Sequence, residues 1–288
     1  MYLRAFGKIN LGLDVVRKRE DGYHEVRMIM QTVGIFDRLE LKKTSTPGIA
    51  LRTNLFYLPN NENNLVYRAA DMLMKEFDIK SGLAIDLKKY IPVAAGMAGG
   101  SSDAACTLYG VNRMFGLGLS LEQLMERGVK LGADVPYCLM RGTALSEGSG
   151  EVLTPLPPMP QCHVLIAKPG ISVSTKFVYE NLRANELKRH PDIDGIVAAI
   201  QSQDLNGVAS RLENVLETVT AKEYPVIEEI KSQMKACGAL NALMSGSGPT
   251  VFGLFGDIQS AKRAYRGLKG NGLAKQVYLT KFYNTNRS

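Results

Sequence analysis

No stretch of the 288-residue chain approaches the ~18 consecutive apolar residues that a membrane-spanning helix requires. The opening MYLRAFGKINLGLD lacks the longer apolar block and small-residue cleavage site of a secretory leader. The four cysteines, Cys106, Cys138, Cys162 and Cys237, lie far apart and form no CxxC or Cys/His pairing. Such spacing encodes neither a zinc site nor a disulfide framework, and scattered buried thiols belong to a reducing compartment. Repeats and low-complexity tracts are absent as well. Basic residues form no stripe interleaved with aromatics; the longest runs are Arg17-Lys18-Arg19 and two Lys-Lys pairs. Together these absences lead us to expect a soluble, cytoplasmic protein that engages neither a membrane nor a nucleic acid.

What is present is the composition of a globular chain, 45% hydrophobic and 22% charged, long enough for one large domain or two ordinary ones. The net charge of +7, from 35 basic and 28 acidic residues, suits a nucleic acid and equally a small polyanion such as a nucleotide, and alone does not decide between them. The one composition break is TPLPPMP at 154–160, with four prolines in seven positions. Proline fixes the backbone and removes donors, so an extended connector and a domain boundary are expected there.

Ile9, Leu11, Leu13 and Val15 alternate with Lys8, Asn10, Gly12 and Asp14, the period of a half-buried strand. Residues 26–36 read as a second strand, and Leu83, Ile85 and Leu87 as a third. Asn64 to Phe77 reads as a helix. Ser120 with Gln123 forms a capping box opening another, and Gly132 stands at its expected stop. The second half reads strand 162–167, helices near 194–202, 207–219 and 225–236, strands 239–244 and 250–255, helix 258–268 and strand 276–283. That succession is a β-α-β-β-α-β pattern of the ferredoxin-like kind with inserted helices. The fold class is therefore α+β with two lobes.

Three segments could carry chemistry. Pro92, Val93, Ala94, Ala95, Gly96, Met97, Ala98, Gly99, Gly100, Ser101 and Ser102 join a strand to a helix. Small residues let backbone N–H groups approach an anion, and a helix N-terminus adds the positive end of its dipole. It is neither a Walker loop, because Ser101 stands where lysine is required, nor a GxGxxG turn. A tight strand-to-helix turn packed by small residues would look the same. The second segment, Met244-Ser245-Gly246-Ser247-Gly248-Pro249-Thr250, lies between two apolar strands and alone would be an ordinary hairpin turn. The third, Leu131-Gly132-Ala133-Asp134-Val135-Pro136, holds one carboxylate in a loop stiffened by glycine and proline, where aspartate is usually a cap or turn residue. Lys8 and Asn10 share one face of the first strand, so two polar groups converge there.

These pieces together resemble the GHMP kinase superfamily of small-molecule kinases, whose motifs occur here in order: FGKINLGLDV, PVAAGMAGGSSDAA and MSGSGPTVFGLF. The resemblance covers essentially the whole chain. It implies an N-terminal ribosomal-protein-S5-domain-2-like lobe over 1–155 that binds ATP, and a ferredoxin-like lobe over 156–288 on the substrate side. It further implies phosphoryl transfer from ATP, with Mg²⁺ expected, and a catalytic pair of Lys8 and Asp134. The loop 92–102 would hold the ATP phosphates, with Asn64 near the adenine. GKINLGLDVVRKREDGYHEV and LGADVP resemble the branch whose alcohol is a small cytidine diphosphate-linked polyol. In that branch Tyr23, His24 and Tyr179 would contact cytosine, with Thr175 near the substrate and Asn10 near the polyol hydroxyls. One departure is Met97-Ala98, where the family commonly has leucine and glycine; a minor backbone adjustment is expected. His163 and His190 match no family position and read as structural or exposed. A monomer or weak homodimer is expected. Competing readings are a sister kinase acting on homoserine or mevalonate, a nucleotide-binding protein without turnover, and a nucleic-acid binder, which would show strongly salt-dependent affinity.

Overall fold

The first strand, β1 (Tyr2–Lys18), carries the predicted alternation, yet both of its faces are buried. Ile9, Leu11, Leu13 and Val15 are covered on one side, and Lys8, Asn10 and Asp14 are buried on the other. The expectation of a half-solvated strand is corrected: its polar face is enclosed and satisfied internally. A computed structural model describes all residues except Asp21, Tyr23, Lys188 and 285–288. It divides the chain into two compact units. The first contains Met1–Gly7, Ile35–Val93 and Ala98–Met140; the second contains Lys8–Gly34, Ala94–Met97 and Arg141–Ser288. Thus β1 and the long β2 (His24–Thr44) contribute residues to both units, and the division is not one cut in the proline-rich segment.

In the first unit, β3 (Ile49–Thr53) pairs in parallel with β4 (Gly82–Lys88), and β4 pairs antiparallel with Arg38–Thr44 of β2. Helix α1 (Leu65–Glu76) starts where Asn64 caps it, its side chain accepting from Val66 N–H. Val66, Ala69, Ala70 and Leu73 recur at helical spacing and form its buried face. Helix α2 (Gly99–Phe115) follows the small-residue loop and buries Ala104, Leu108 and Val111. The capping box of α3 (Leu121–Val129) is complete, with both reciprocal bonds made. Gly132 is not the stop of α3: Lys130 closes that helix, and the Leu131 and Gly132 N–H groups both return to the Gly128 carbonyl. Gly132 belongs instead to the turn that leads into α4 (Val135–Met140).

In the second unit, Met28–Gln31 of β2 pairs antiparallel with β5 (Thr143–Glu147), and β5 with β6 (Val152–Leu156). The first three residues of TPLPPMP are therefore strand rather than free connector. Pro155 is tolerated because β6 pairs on one side only, as at a sheet edge. The remaining strands are β7 (His163–Lys168), β8 (Glu213–Asn214), β9 (Asn241–Met244), β10 (Val251–Phe255) and β11 (Gln276–Lys281). Helices α5 (Thr175–Asn181), α6 (Ile193–Gln201), α7 (Leu205–Ser210), α8 (Glu217–Glu223), α9 (Val226–Ala236) and α10 (Ile258–Gly270) lie among them. A four-stranded antiparallel sheet has the order β11-β7-β10-β9, with α9 and α10 packed on it. That is the ferredoxin-like arrangement read from the pattern.

The helix expected over 207–219 is broken. Asp204 caps α7, the chain then leaves the helix, and Glu213–Asn214 pairs in parallel with Gly12–Leu13 of β1. A tertiary pairing has overridden local helical preference. Cys106, Cys138 and Cys162 are buried and unbridged, and Cys237 is half-buried. Burial pushes the Cys162 thiol up to about 12, so it is inert at neutral pH.

Candidate active site

In the second unit, three predicted segments meet. Lys8 Nζ donates to Asn10 Oδ1 at 2.7 Å, and Asn10 Nδ2 lies 3.2 Å from Met28 Sδ. The Lys8 backbone N–H donates to the Met97 carbonyl at 3.1 Å, holding the middle of the small-residue loop against the lysine strand. Gly96 has φ of 72°, and a Cβ there would stand 2.1 Å from the Ser245 carbonyl oxygen. Only glycine permits that approach. Ser245 Oγ donates to the Gly96 carbonyl at 2.9 Å. Across this contact, a Cβ on Gly246 would lie 3.3 Å from the Gly96 oxygen and 3.6 Å from Asn10 Oδ1. The lysine strand, residues 96–97 and the late Ser/Gly loop thus form one cluster, buried at Lys8, Asn10 and Ser245.

In the first unit, the N-terminus of α2 sits beside the predicted aspartate loop. A Cβ on Gly132 would reach within 4.0 Å of Ser101 Oγ, and Asp134, two residues on, is half-buried at the entry to α4. Gly100 is exposed and Ser101 half-buried, so the start of α2 is open to an anion. Ser102 differs. Its hydroxyl is buried and donates to the Phe6 carbonyl at 2.6 Å, so it is committed to β1 rather than turned outward. Asn64 is likewise engaged: besides capping α1, its Nδ2 donates to the Pro59 carbonyl at 2.8 Å. Ala98 and Ala94 adopt left-handed backbone, φ 53° and 49°.

Below α2 lies a charged cluster that sequence reading did not single out. Lys89 Nζ donates to Asp37 Oδ2 and, at 2.6 Å, to Asp103 Oδ2; all three residues are buried. The other Asp37 oxygen accepts the Tyr90 and Ile91 N–H groups, while Asn54 bonds both the N–H and the carbonyl of Lys89. The strand end before Pro92 is thereby anchored. Burial pushes the Asp103 carboxyl well above the usual aspartate range, because one ammonium cannot offset two enclosed carboxylates. Burial opposes the charge on Lys89, yet its two carboxylate neighbours outweigh it and hold the ammonium more firmly than usual. The alternation over 83–87 pointed to a strand, but nothing in sequence marked Asp37 as its distant partner.

The family model for the GHMP kinases N terminal domain matches residues 64–142, and that for GHMP kinases C terminal matches residues 196–273. The chain belongs to the GHMP kinases.

Relatives of this GHMP kinase carry a narrower name. A protein of Lachnoclostridium phytofermentans named 4-diphosphocytidyl-2-C-methyl-D-erythritol kinase is 59% identical over 98% of this chain and 97% of its own. One of Clostridium perfringens with the same name is 48% identical over 99% of each. A crystal structure of 4-(cytidine 5'-diphospho)-2C-methyl-D-erythritol kinase is similar with a TM-score of 0.85 and 32% identity, covering 99% of this chain and 100% of that one. A mevalonate kinase from L. major, 16% identical with a TM-score of 0.75, covers 99% of this chain and 96% of its own and shares the fold.

The residues expected at the base end of the substrate lie in the second unit of this GHMP kinase. His24 and Tyr179 are brought together, ring centroids 5.1 Å apart and tilted by 41°. Burial, aided by the Lys18 charge, holds the His24 imidazole below its ordinary range, so it is neutral at pH 7. Tyr23 lies outside the described residues. Thr175 Oγ1 stands 2.8 Å from Ser247 Oγ, which ties the first residue of α5 to the late loop. His190 is half-exposed, with Nδ1 2.8 Å from Asp14 Oδ1. Among the described residues no cluster of three or more His, Cys, Asp or Glu could hold a metal ion, and no helix is long and apolar enough to cross a membrane.

Proposed function

We propose that this GHMP kinase transfers the γ-phosphoryl group of ATP to the 2-hydroxyl of 4-diphosphocytidyl-2-C-methyl-D-erythritol, a step in making isoprenoid precursors by the non-mevalonate route. The observation that carries the reading is the cluster of Lys8, Asn10, Gly96 and Ser245–Gly246, taken with full-length relatives of that name. The alcohol oxygen forms a bond to the γ-phosphorus as the bond to the β-phosphate bridging oxygen breaks, and ADP leaves. Asp134 receives the hydroxyl proton, and Lys8 stabilises the charge that develops. Positioning and electrostatics supply most of the acceleration in such a transfer, and a proton acceptor typically adds ~10²–10⁴-fold.

Backbone N–H groups of 94–101 hold the ATP phosphates, with Asn64 at the adenine. Tyr23, His24 and Tyr179 hold the cytosine, where a neutral imidazole can accept or donate a hydrogen bond without competing for the phosphates. In this reading Thr175 is near the substrate and Asn10 near the polyol hydroxyls. Mg²⁺ is expected to arrive on the phosphates, which commonly supply much of its coordination. The protein acts in the cytoplasm as a monomer or weak homodimer.

The test is ADP release by the purified protein with ATP, Mg²⁺ and each of three alcohols: the cytidine compound, homoserine and mevalonate. Turnover with the cytidine compound alone is expected; turnover with another alcohol instead would move the assignment to a sister kinase. Asp134→Asn is expected to keep nucleotide binding while losing at least ~10²-fold in kcat. Near-normal rates in that variant would remove Asp134 from the mechanism.

A further inference from the structure

The segment 213–220 does more than connect two helices. Asn214 is buried, its backbone pinned to β1 by the pairing of Glu213–Asn214 with Gly12–Leu13. Its side-chain amide donates both protons to the late loop, to the Met244 carbonyl at 2.9 Å and the Gly246 carbonyl at 2.8 Å, while Oδ1 accepts from Leu216 N–H. Three residues on, Glu217 Oε1 accepts the Met244 N–H at 2.7 Å, and its other oxygen is held by Lys231 Nζ at 2.7 Å. After a further three, Thr220 Oγ1 donates to the Ser247 carbonyl at 3.3 Å. Lys231 is itself shared with Glu228.

Within the loop, Ser245 N–H donates to the Thr250 carbonyl, and Gly248 N–H to the Ser245 carbonyl. Every carbonyl from Met244 to Ser247 is thus engaged, as are the Met244, Ser245 and Gly248 N–H groups. Among the described residues, nothing accepts from the N–H of Gly246 or Ser247. A trans peptide sets its N–H opposite to its C=O. Turning the Gly246 carbonyl onto Asn214 therefore turns the Ser247 N–H away from it.

We propose that Asn214, supported by Glu217 and Thr220, is a positioning residue that orients the late loop so that the Gly246 and Ser247 N–H groups receive a phosphate oxyanion. This rests on the kinase reading above. The oxyanion belongs either to the group in transfer or to the diphosphate of the alcohol, and donors pre-aimed at such charge need no reorganisation when it arrives.

The discriminating variant is Asn214→Asp, which keeps the shape and the acceptor but cannot donate to two carbonyls. Expected is a loss of about 10²-fold in kcat/KM, as for a small misplacement of reacting groups. A fall in kcat alone assigns the donors to the transferred group, and a rise in KM for the cytidine alcohol assigns them to its diphosphate. A lowered Tm with unchanged kcat and KM would make Asn214 merely structural and overturn the proposal. Should that variant fail to fold, Thr220→Val removes one donor without changing shape, and a loss of roughly 10-fold in kcat/KM is expected; none would overturn it.

A second readout is independent of the substrate assignment. Inorganic pyrophosphate added to ¹⁵N-labelled enzyme should shift the Gly246 and Ser247 amide resonances, and Asn214→Asp should abolish the shift. Absence of a shift in the unmodified enzyme would overturn the oxyanion role. Silence of that enzyme toward the cytidine alcohol, with the shift intact, would remove only the kinase substrate.

Discussion

Ala98 carries a cost that its small side chain conceals. It is the N-cap of α2 with φ 53° and ψ 31°, a left-handed conformation, and it makes no side-chain cap bond. An L-residue pays roughly 1–2 kcal/mol there, whereas glycine pays only the entropy of its freer unfolded chain. Ala98→Gly should therefore stabilise the protein by about 0.5–1 kcal/mol, seen as a higher urea midpoint at unchanged slope. A lower midpoint would show that the methyl group is needed more than the conformation is strained.

Asp103 makes a prediction of opposite character. Its Oδ1 is buried with no hydrogen-bond partner, and its carboxyl is pushed above the ordinary 3.8. The folded state therefore keeps a proton that the unfolded chain has already released. Its contribution to stability is full below the ordinary aspartate value and is lost as pH rises through the folded value. Asp103→Asn, neutral throughout, should flatten that part of the pH–stability curve while Lys89 remains paired with Asp37. Urea unfolding across the acidic to alkaline range tests this, and an unaltered slope would assign the proton elsewhere.

At the scale of the element, Asn64 shows how one side chain can serve a helix first. It accepts from Val66 N–H and donates to the Pro59 carbonyl, so it both starts α1 and pins the loop before it. Asn64→Ala should cost about 1 kcal/mol of stability. If the residue also meets adenine, KM for ATP rises beyond what unfolding explains; a stability loss with unchanged KM would confine Asn64 to capping. The same duality separates what was legible from what was not. The capping box of α3 is local, made by residues three apart, and was readable. The break at 212–216 was not, because the partner of Glu213–Asn214 is β1, some two hundred positions earlier. Gly132 differs for a related reason: a glycine after a helical pattern reads as a stop, but α3 closes at Lys130 and the Gly132 carbonyl accepts from Val135 N–H in the turn into α4.

For the molecule as a whole, a net charge of +7 faces two polyanionic substrates in the proposed reaction. Their encounter should be electrostatically assisted, so kcat/KM for ATP is expected to fall from low to physiological ionic strength with kcat little changed. Insensitivity to salt in stopped-flow binding would show that the excess charge lies away from the phosphates.

Composition and period alone determined that the chain is globular and that its second half alternates as β-α-β-β-α-β, while each of the three small-residue or polar segments, read singly, remained an ordinary turn. Their order determined the family, because motifs of contiguous residues survive in a linear reading. Tertiary structure alone decided which groups those residues meet: the Ser102 hydroxyl the Phe6 carbonyl, the Asn64 side chain the first turn of α1, and the Lys8 ammonium Asn10. It alone revealed the Lys89 cluster and the hold of Asn214 on the late loop. Hydrogen bonds and buried charges are settled by whichever groups the fold brings within ~3 Å, and sequence distance carries no record of that.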